Sequence, residues 1–312
     1  MRYESWPIIQ ANKSIRLYDN HPSVSEIRKR LIIMGDMSQN IFSYGDTYDK
    51  QMFFAVNTFQ WRHGIKQSGI INKQTLRALN MTPREKLDLL MISMNKWAQY
   101  SDLNGAHYVL VNIPDFKLKI MRDGNTVMSM NVITGTQNNP TPEINSKITT
   151  VVFNPTWNLP RSIIKNEIAP LVKKNPNYLD EKQINIYQNW RANAAKIDPS
   201  HLNWSNIHSY GTDLRFTQTS GDHNVLGQVK FLFYNPYDIY LHDTLNKNLF
   251  QKLPRSYSHG CVRLENPLQF AQYLLDNSQL YDVNMYDYTG TDKTIKYVNL
   301  TKQLPLHITY IV

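Results

Sequence analysis

The apolar spacing of this chain changes near residue 100, and the change limits what each part can fold into. Before it, apolar residues recur every three to four positions. The sets are Val24, Ile27 and Leu31; Met52, Phe53, Val56 and Phe59; and Leu76 and Leu79 beside Thr75. Leu87, Leu90, Met91, Met94 and Trp97 form a fourth stripe. That period places apolar side chains on one side of an α-helix. Beyond it, Tyr108 to Ile113 is a β-branched apolar run, and Phe116 to Met121 alternates. These are strand patterns, and a helical period does not settle into a strand. The chain is read as α+β, with a helical part followed by a mainly β part.

Punctuation refines the reading. His21-Pro22-Ser23 opens the first helix and Gly35 closes it. Residues 1–20 form no clear period. They are read as a scaffold segment with 85–100, and Ile15 to Tyr18 as a short strand. The helix within 83–106 is read as a linker whose stripe packs into core. Asp123-Gly124-Asn125 turns the chain, so antiparallel hairpins are expected across 107–153. Residues 161–222 interrupt the strands with a helix capped by Ser162 and carrying Ile163, Ile164, Ile168 and Leu171. Strand patterns resume at Phe216 and at Lys230 to Tyr234. Asn266-Pro267 starts a helix with Leu268, Ala271, Leu274 and Leu275. Val283-Asn284-Met285 and a last strand, Leu306 to Val312 and cut short, are read as closing the domain.

Cys261 is the only cysteine, so it has no disulfide partner within the chain. It lies in Tyr257-Ser258-His259-Gly260-Cys261-Val262-Arg263-Leu264. Gly260 lets the backbone turn, and the amides of Gly260 and Cys261 are read as paired oxyanion donors. A helix start a few residues on favours thiolate slightly. A base is also needed, because thiolate is the attacking species. Tyr240-Leu241-His242-Asp243-Thr244 lies upstream, with fifteen residues between His242 and Ser258. One loop of that length brings an imidazole to the sulfur. Either Asp243 or a backbone carbonyl orients the ring. His242, His259, His223 and Cys261 offer ligands enough for zinc. No close metal-ligand spacing accompanies them, so no metal or cofactor is expected.

These residues resemble the L,D-transpeptidase family, whose signature is a histidine, about fifteen residues, then Ser/Thr-His-Gly-Cys. The resemblance implies Cys261 as nucleophile, His242 as general base and the Gly260–Cys261 turn as oxyanion site. It further implies that His259 and Arg263 line the site. A fixed guanidinium beside the thiol suits a substrate carboxylate, so Arg263 is read as meeting one, and His259, Ser258, Tyr240 and Asp243 are read as further substrate contacts. The implied fold is a β sandwich-like catalytic domain over 107–312 with 161–222 as a helical capping insertion. Residues 21–82, through Phe59-Gln60, His63-Gly64, Gly69-Ile70 and Thr75-Leu76, resemble a three-helix peptidoglycan-binding domain.

The implied reaction takes D-Ala from a tetrapeptide stem through a thioester and forms a 3→3 cross-link with a second stem. Stems are then both donor and acceptor, and a carbapenem would be captured covalently. The alternatives are stem hydrolysis, as an L,D-carboxypeptidase, or attachment of another amine or protein to the wall. Net charge is +9, a surface suited to polyanions. The basic residues are scattered, without a basic helix or finger spacing, so nucleic acid is not the expected partner. No run of about eighteen apolar residues suggests a membrane span. Met1-Arg2-Tyr3-Glu4 does not open a signal peptide. The wall resemblance implies an export segment outside this chain and a place in the periplasm or cell envelope.

Overall fold

The computed structural model describes residues 6–38, 45–100, 106–210, 213–283, 285 and 293–312. Two compact units divide it, residues 1–101 with 311–312 and residues 102–310. In the first, α1 (Val24–Ile33), α2 (Lys50–Arg62) and α3 (Lys73–Asn80) bury the residues that the helical period picks out. Asp49 and Asn72 cap α2 and α3 by accepting from Met52 N–H and Thr75 N–H, satisfying first-turn donors. Residues 6–20 join this core rather than forming a scaffold with 85–100. Ile9 and Ile15 are buried in it, Ile15 bridges Ile71, and Trp6 Nε1 donates to the Leu79 carbonyl.

Helix α4 (Pro83–Ala98) starts with the capping box Thr82–Glu85. Its stripe is not core: Leu90, Met91, Met94 and Trp97 are exposed, and Ser93 is the buried residue.

The second unit is built on β1 (His107–Asn112), β2 (Lys117–Arg122), β3 (Asn125–Gly135) and β4 (Ile144–Phe153). The insertion follows. It runs through β5 (Trp157–Asn158), α5 (Arg161–Ile163), a π-helical turn at Ile164–Ile168, α6 (Ala169–Lys174) and α7 (Tyr178–Glu181). It ends with β6 (Ile184–Tyr187), β7 (Lys196–Ile197) and β8 (Arg215–Gln218). Ser162 lies inside α5, and Pro160 holds the cap position. The insertion is not purely helical: β5, β8, β6 and β7 form a four-stranded sheet over its own core.

The chain returns with β9 (Val229–Phe233), β10 (Leu241–His242), β11 (Ser256–Ser258) and β12 (Val262–Leu264). Helix α8 (Pro267–Asn277) and β13 (Lys296–Thr309) complete it. Asn284 lies outside the described residues, while Val283 and Met285 pack against the core. The main sheet runs β11-β3-β12-β10-β9-β4-β13-β1-β2, and β2 also pairs with β3, so the sheet closes on itself. Hairpin pairing is antiparallel, as the turn at Asp123-Gly124 predicts, but β1–β13, β10–β12 and β3–β11 are parallel. Phe270, Ala271, Leu274 and Leu275 of α8 are buried in the same core as Leu241, Val262 and Leu264.

Candidate active site

Strand register places the site. Leu241 pairs with Val262 and His242 with Arg263 across β10–β12, and both Leu241 and Val262 are fully buried in the core. Strand side chains alternate, so Tyr240, His242, Cys261 and Arg263 are turned to the opposite face. His242 also pairs with Lys230 of β9, which brings Lys230 to that face. These five side chains line a cavity of about 810 Å³. Trp157, Glu167 and Trp190 of the insertion line it too, so the insertion forms its far wall.

His242 is buried, and its Nδ1 lies 2.5 Å from the Asp243 carbonyl oxygen. A carbonyl only accepts, so Nδ1 carries the proton and Nε2 is left as the basic nitrogen. Burial first, then the Arg263 and Lys230 cations, pushes the imidazole down to about 3. Cys261 is half-buried, and burial pushes its thiol up to about 11 against the opposing pull of the Tyr240 amide, Arg263 and Lys230. The resting pair is therefore neutral thiol and neutral imidazole. The start of α8 does not overcome burial at the sulfur.

Three sequence-predicted residues take other places. Ser258 is buried, and its Oγ donates to the Cys261 carbonyl at 2.5 Å and accepts from Gly260 N–H at 3.1 Å. Ser258 thus braces the loop, although it borders the cavity. The same bond occupies the Gly260 amide, leaving the Cys261 amide as the remaining donor of the predicted pair. Gly260 has φ +116°, and a Cβ there would stand 3.0 Å from Ile239 Cδ1, so the turn needs glycine. Asp243 does not face substrate space. Its carboxylate accepts from Gln228 N–H at 2.9 Å, Thr244 N–H at 2.7 Å and Lys247 Nζ at 2.5 Å. A Cβ at Gly227 would lie 2.2 Å from Asp243 Oδ2, so these segments touch only because Gly227 lacks one. The imidazole is held by the carbonyl of Asp243, not by its carboxylate.

His259 reaches across the cavity mouth, its Nε2 2.8 Å from Glu167 Oε1 on the π-helical turn. Burial raises the Tyr240 phenol far above its ordinary range, and the Cys261 sulfur adds to this. Sequence reasoning missed Lys230, Glu167 and Thr141. The Thr141 Oγ1 donates to the Gly260 carbonyl at 2.7 Å and accepts from Gly135 N–H at 2.8 Å. Only Lys230 left a signal, as a lone cation inside the apolar run Val229 to Phe233. No group of three or more His, Cys, Asp or Glu suited to a metal occurs among the described residues.

Residues 106–291 match the family of L,D-transpeptidase catalytic domains, and residues 20–79 match one described as "Putative peptidoglycan binding domain". A curated relative from Haemophilus influenzae, "Putative L,D-transpeptidase", is 36% identical over 206 residues, covering 65% of this chain and 41% of its own length. The chain thus spans well under half of that relative. A solved L,D-transpeptidase fragment from Xylanimonas cellulosilytica is 14% identical, with 96% and 99% of the two chains covered and a TM-score of 0.29. LD transpeptidase LdtMt1, solved in complex with imipenem, is 11% identical over 65% and 60% of the chains at a TM-score of 0.31.

Proposed function

Because this chain belongs to the L,D-transpeptidase family, we propose that it is a cysteine acyltransferase joining peptidoglycan stems by 3→3 cross-links. One observation carries the reading: Cys261 and His242 share one sheet face and one walled cavity. As Cys261 Sγ attacks the carbonyl of a tetrapeptide donor, its proton passes to His242 Nε2. The oxyanion meets the Cys261 amide. The intermediate collapses to a thioester, and His242 returns the proton to the departing D-Ala amine. The side-chain amine of a second stem's diaminopimelate then attacks the thioester, giving the cross-link and the free thiol. Arg263, unpaired among the described residues, faces the cavity and suits a substrate carboxylate. The insertion walls one side of the cavity, and water held off the thioester there would favour transfer over hydrolysis.

Residues 20–79 would hold the enzyme to the wall, and the reaction belongs to the periplasm or cell envelope. The test is mass analysis of products from purified disaccharide-tetrapeptides. Cross-linked dimer with free D-Ala is expected, and none with Cys261→Ala. Tripeptide without dimer would assign a carboxypeptidase instead. A carbapenem should add its mass to the wild-type chain and not to Cys261→Ala.

A further inference from the structure

His242 stands in the middle of a row across three strands, with Lys230 opposite it on β9 and Arg263 opposite it on β12. Cross-strand partners share a face, so two cations flank the base on the side where the sulfur sits. Lys230 is largely withdrawn from water. Its Nζ lies 3.4 Å from the Thr156 carbonyl and 5.5 Å from the centre of the Tyr240 ring. Among the described residues it has no carboxylate partner: Asp243 is taken by Lys247, and Glu167 by His259. A cation so placed is costly unless an anion answers it. The groups facing Cys261 are Lys230, Arg263, His242, Tyr240 and Asp238, whose carbonyl is 4.0 Å from Sγ and whose carboxylate opposes charge on the sulfur while the two cations favour it.

We propose that Lys230 is the counter-ion of the Cys261 thiolate, a positioning residue that acts through the sulfur and transfers no proton. The proposal rests on Cys261 being the nucleophile. Two observations favour the ammonium over the imidazolium for this task. The imidazole is hemmed by cations on both sides, which disfavours a further positive charge there. The ammonium is already charged and fixed before the reaction begins, so it needs no reorganisation as charge grows on sulfur. The Sγ–H proton still goes to His242 Nε2 as the Sγ–C bond forms, and Lys230 remains an ammonium throughout.

The experiment measures iodoacetamide alkylation of the full chain against pH by intact mass, which needs no peptidoglycan substrate. Lys230→Met should move the midpoint of the alkylation profile up by about one unit and slow the rate at neutral pH about tenfold, the size expected for losing one nearby opposite charge. Lys230→Gln carries the same expectation should the Met variant fold poorly. Lys230→Arg should restore the wild-type midpoint. Profiles of the charge-removing variants that overlay the wild type overturn the proposal. So does a uniformly slower rate with an unmoved midpoint, which marks a packing lesion. A wild-type thiol that stays unmodified at every pH, while urea-unfolded protein reacts, removes the nucleophile reading itself and the proposal with it.

Discussion

Replacing Ser258 by alanine separates a brace from a substrate contact. The Ser258 side chain is 2% exposed. Its hydroxyl satisfies two backbone groups of the nucleophile loop, the Cys261 carbonyl and the Gly260 amide. Alanine leaves both without that partner in a site shielded from water, at about 1–3 kcal/mol for each stranded group. Some relaxation is allowed by the nearby cavity, so we expect about 2–4 kcal/mol of lost stability. For a unit of this size that lowers Tm by about 5–15 °C. Thermal unfolding followed by near-UV circular dichroism reads the loss. The rate of carbapenem adduct formation reads the effect on the sulfur, which should fall because the loop no longer fixes it. Ser258→Thr keeps the hydroxyl and should recover most of both. A Tm within about 1 °C of wild type, with only a raised KM for stems, would refute the brace and return Ser258 to the substrate.

The remaining expectations concern the neighbours of His242. Asp243→Asn loses one acceptor of three bonds and the ion pair to Lys247. It should cost about 1–3 kcal/mol in a urea titration with KM unchanged, whereas a raised KM alone would make Asp243 a substrate contact. The imidazole of His242 is held at about 3 in the fold, below its ordinary 6.5. The unfolded chain therefore takes up the proton first as pH falls. The stability tied to neutral His242 is whole above pH 6.5 and is lost between 6.5 and 3, at up to ~1.4 kcal/mol per pH unit. His242→Gln should show a shallower fall in urea midpoint over that window, and equal slopes would refute the buried neutral ring. Glu167→Gln breaks the pair with His259, both partners being close to half exposed. Stability should change by less than about 1 kcal/mol while KM for stems rises, and an unmoved KM would show that the pair does not hold the insertion over substrate.

Much of this was legible because it is periodic or contiguous. The helical stripes of α1 to α3, the alternation of β2 and the Asp123-Gly124 turn each follow from spacing along a few residues. Cys261 and His242 stood out through a local motif. What the sequence hid is set by pairing between distant segments. Lys230 gains its meaning only from lying opposite His242. Glu167 gains it from meeting His259 across the cavity mouth. Ser258 and Asp243 are harder to read, because a polar residue beside a nucleophile reads equally as ligand or as brace, and only burial and bonded partners distinguish the two. The stripe of α4 misled for a different reason. An amphipathic period states which side chains share a face, not that another surface covers it.

The core and the chemistry are coupled through a two-residue strand. β10 contributes only Leu241 and His242, yet its register is pinned because Leu241 packs with Val262, Leu264 and Phe231 below the sheet. A slip by one residue would turn Leu241 into the polar cavity and His242 into the core. Exposing one such apolar side chain costs about 1.5–3 kcal/mol. Burying an imidazole without its Asp243 carbonyl partner adds about 1–3 kcal/mol. Together these outweigh anything a longer β10 ladder would add, since a backbone hydrogen bond contributes about 1 kcal/mol net. The alignment of Lys230, His242 and Arg263 is therefore maintained from beneath, by apolar residues that never touch a substrate. Leu241→Ala, though on the far face of the sheet from the sulfur, should disturb Cys261 alkylation more than an exposed change at Tyr237 on the cavity rim.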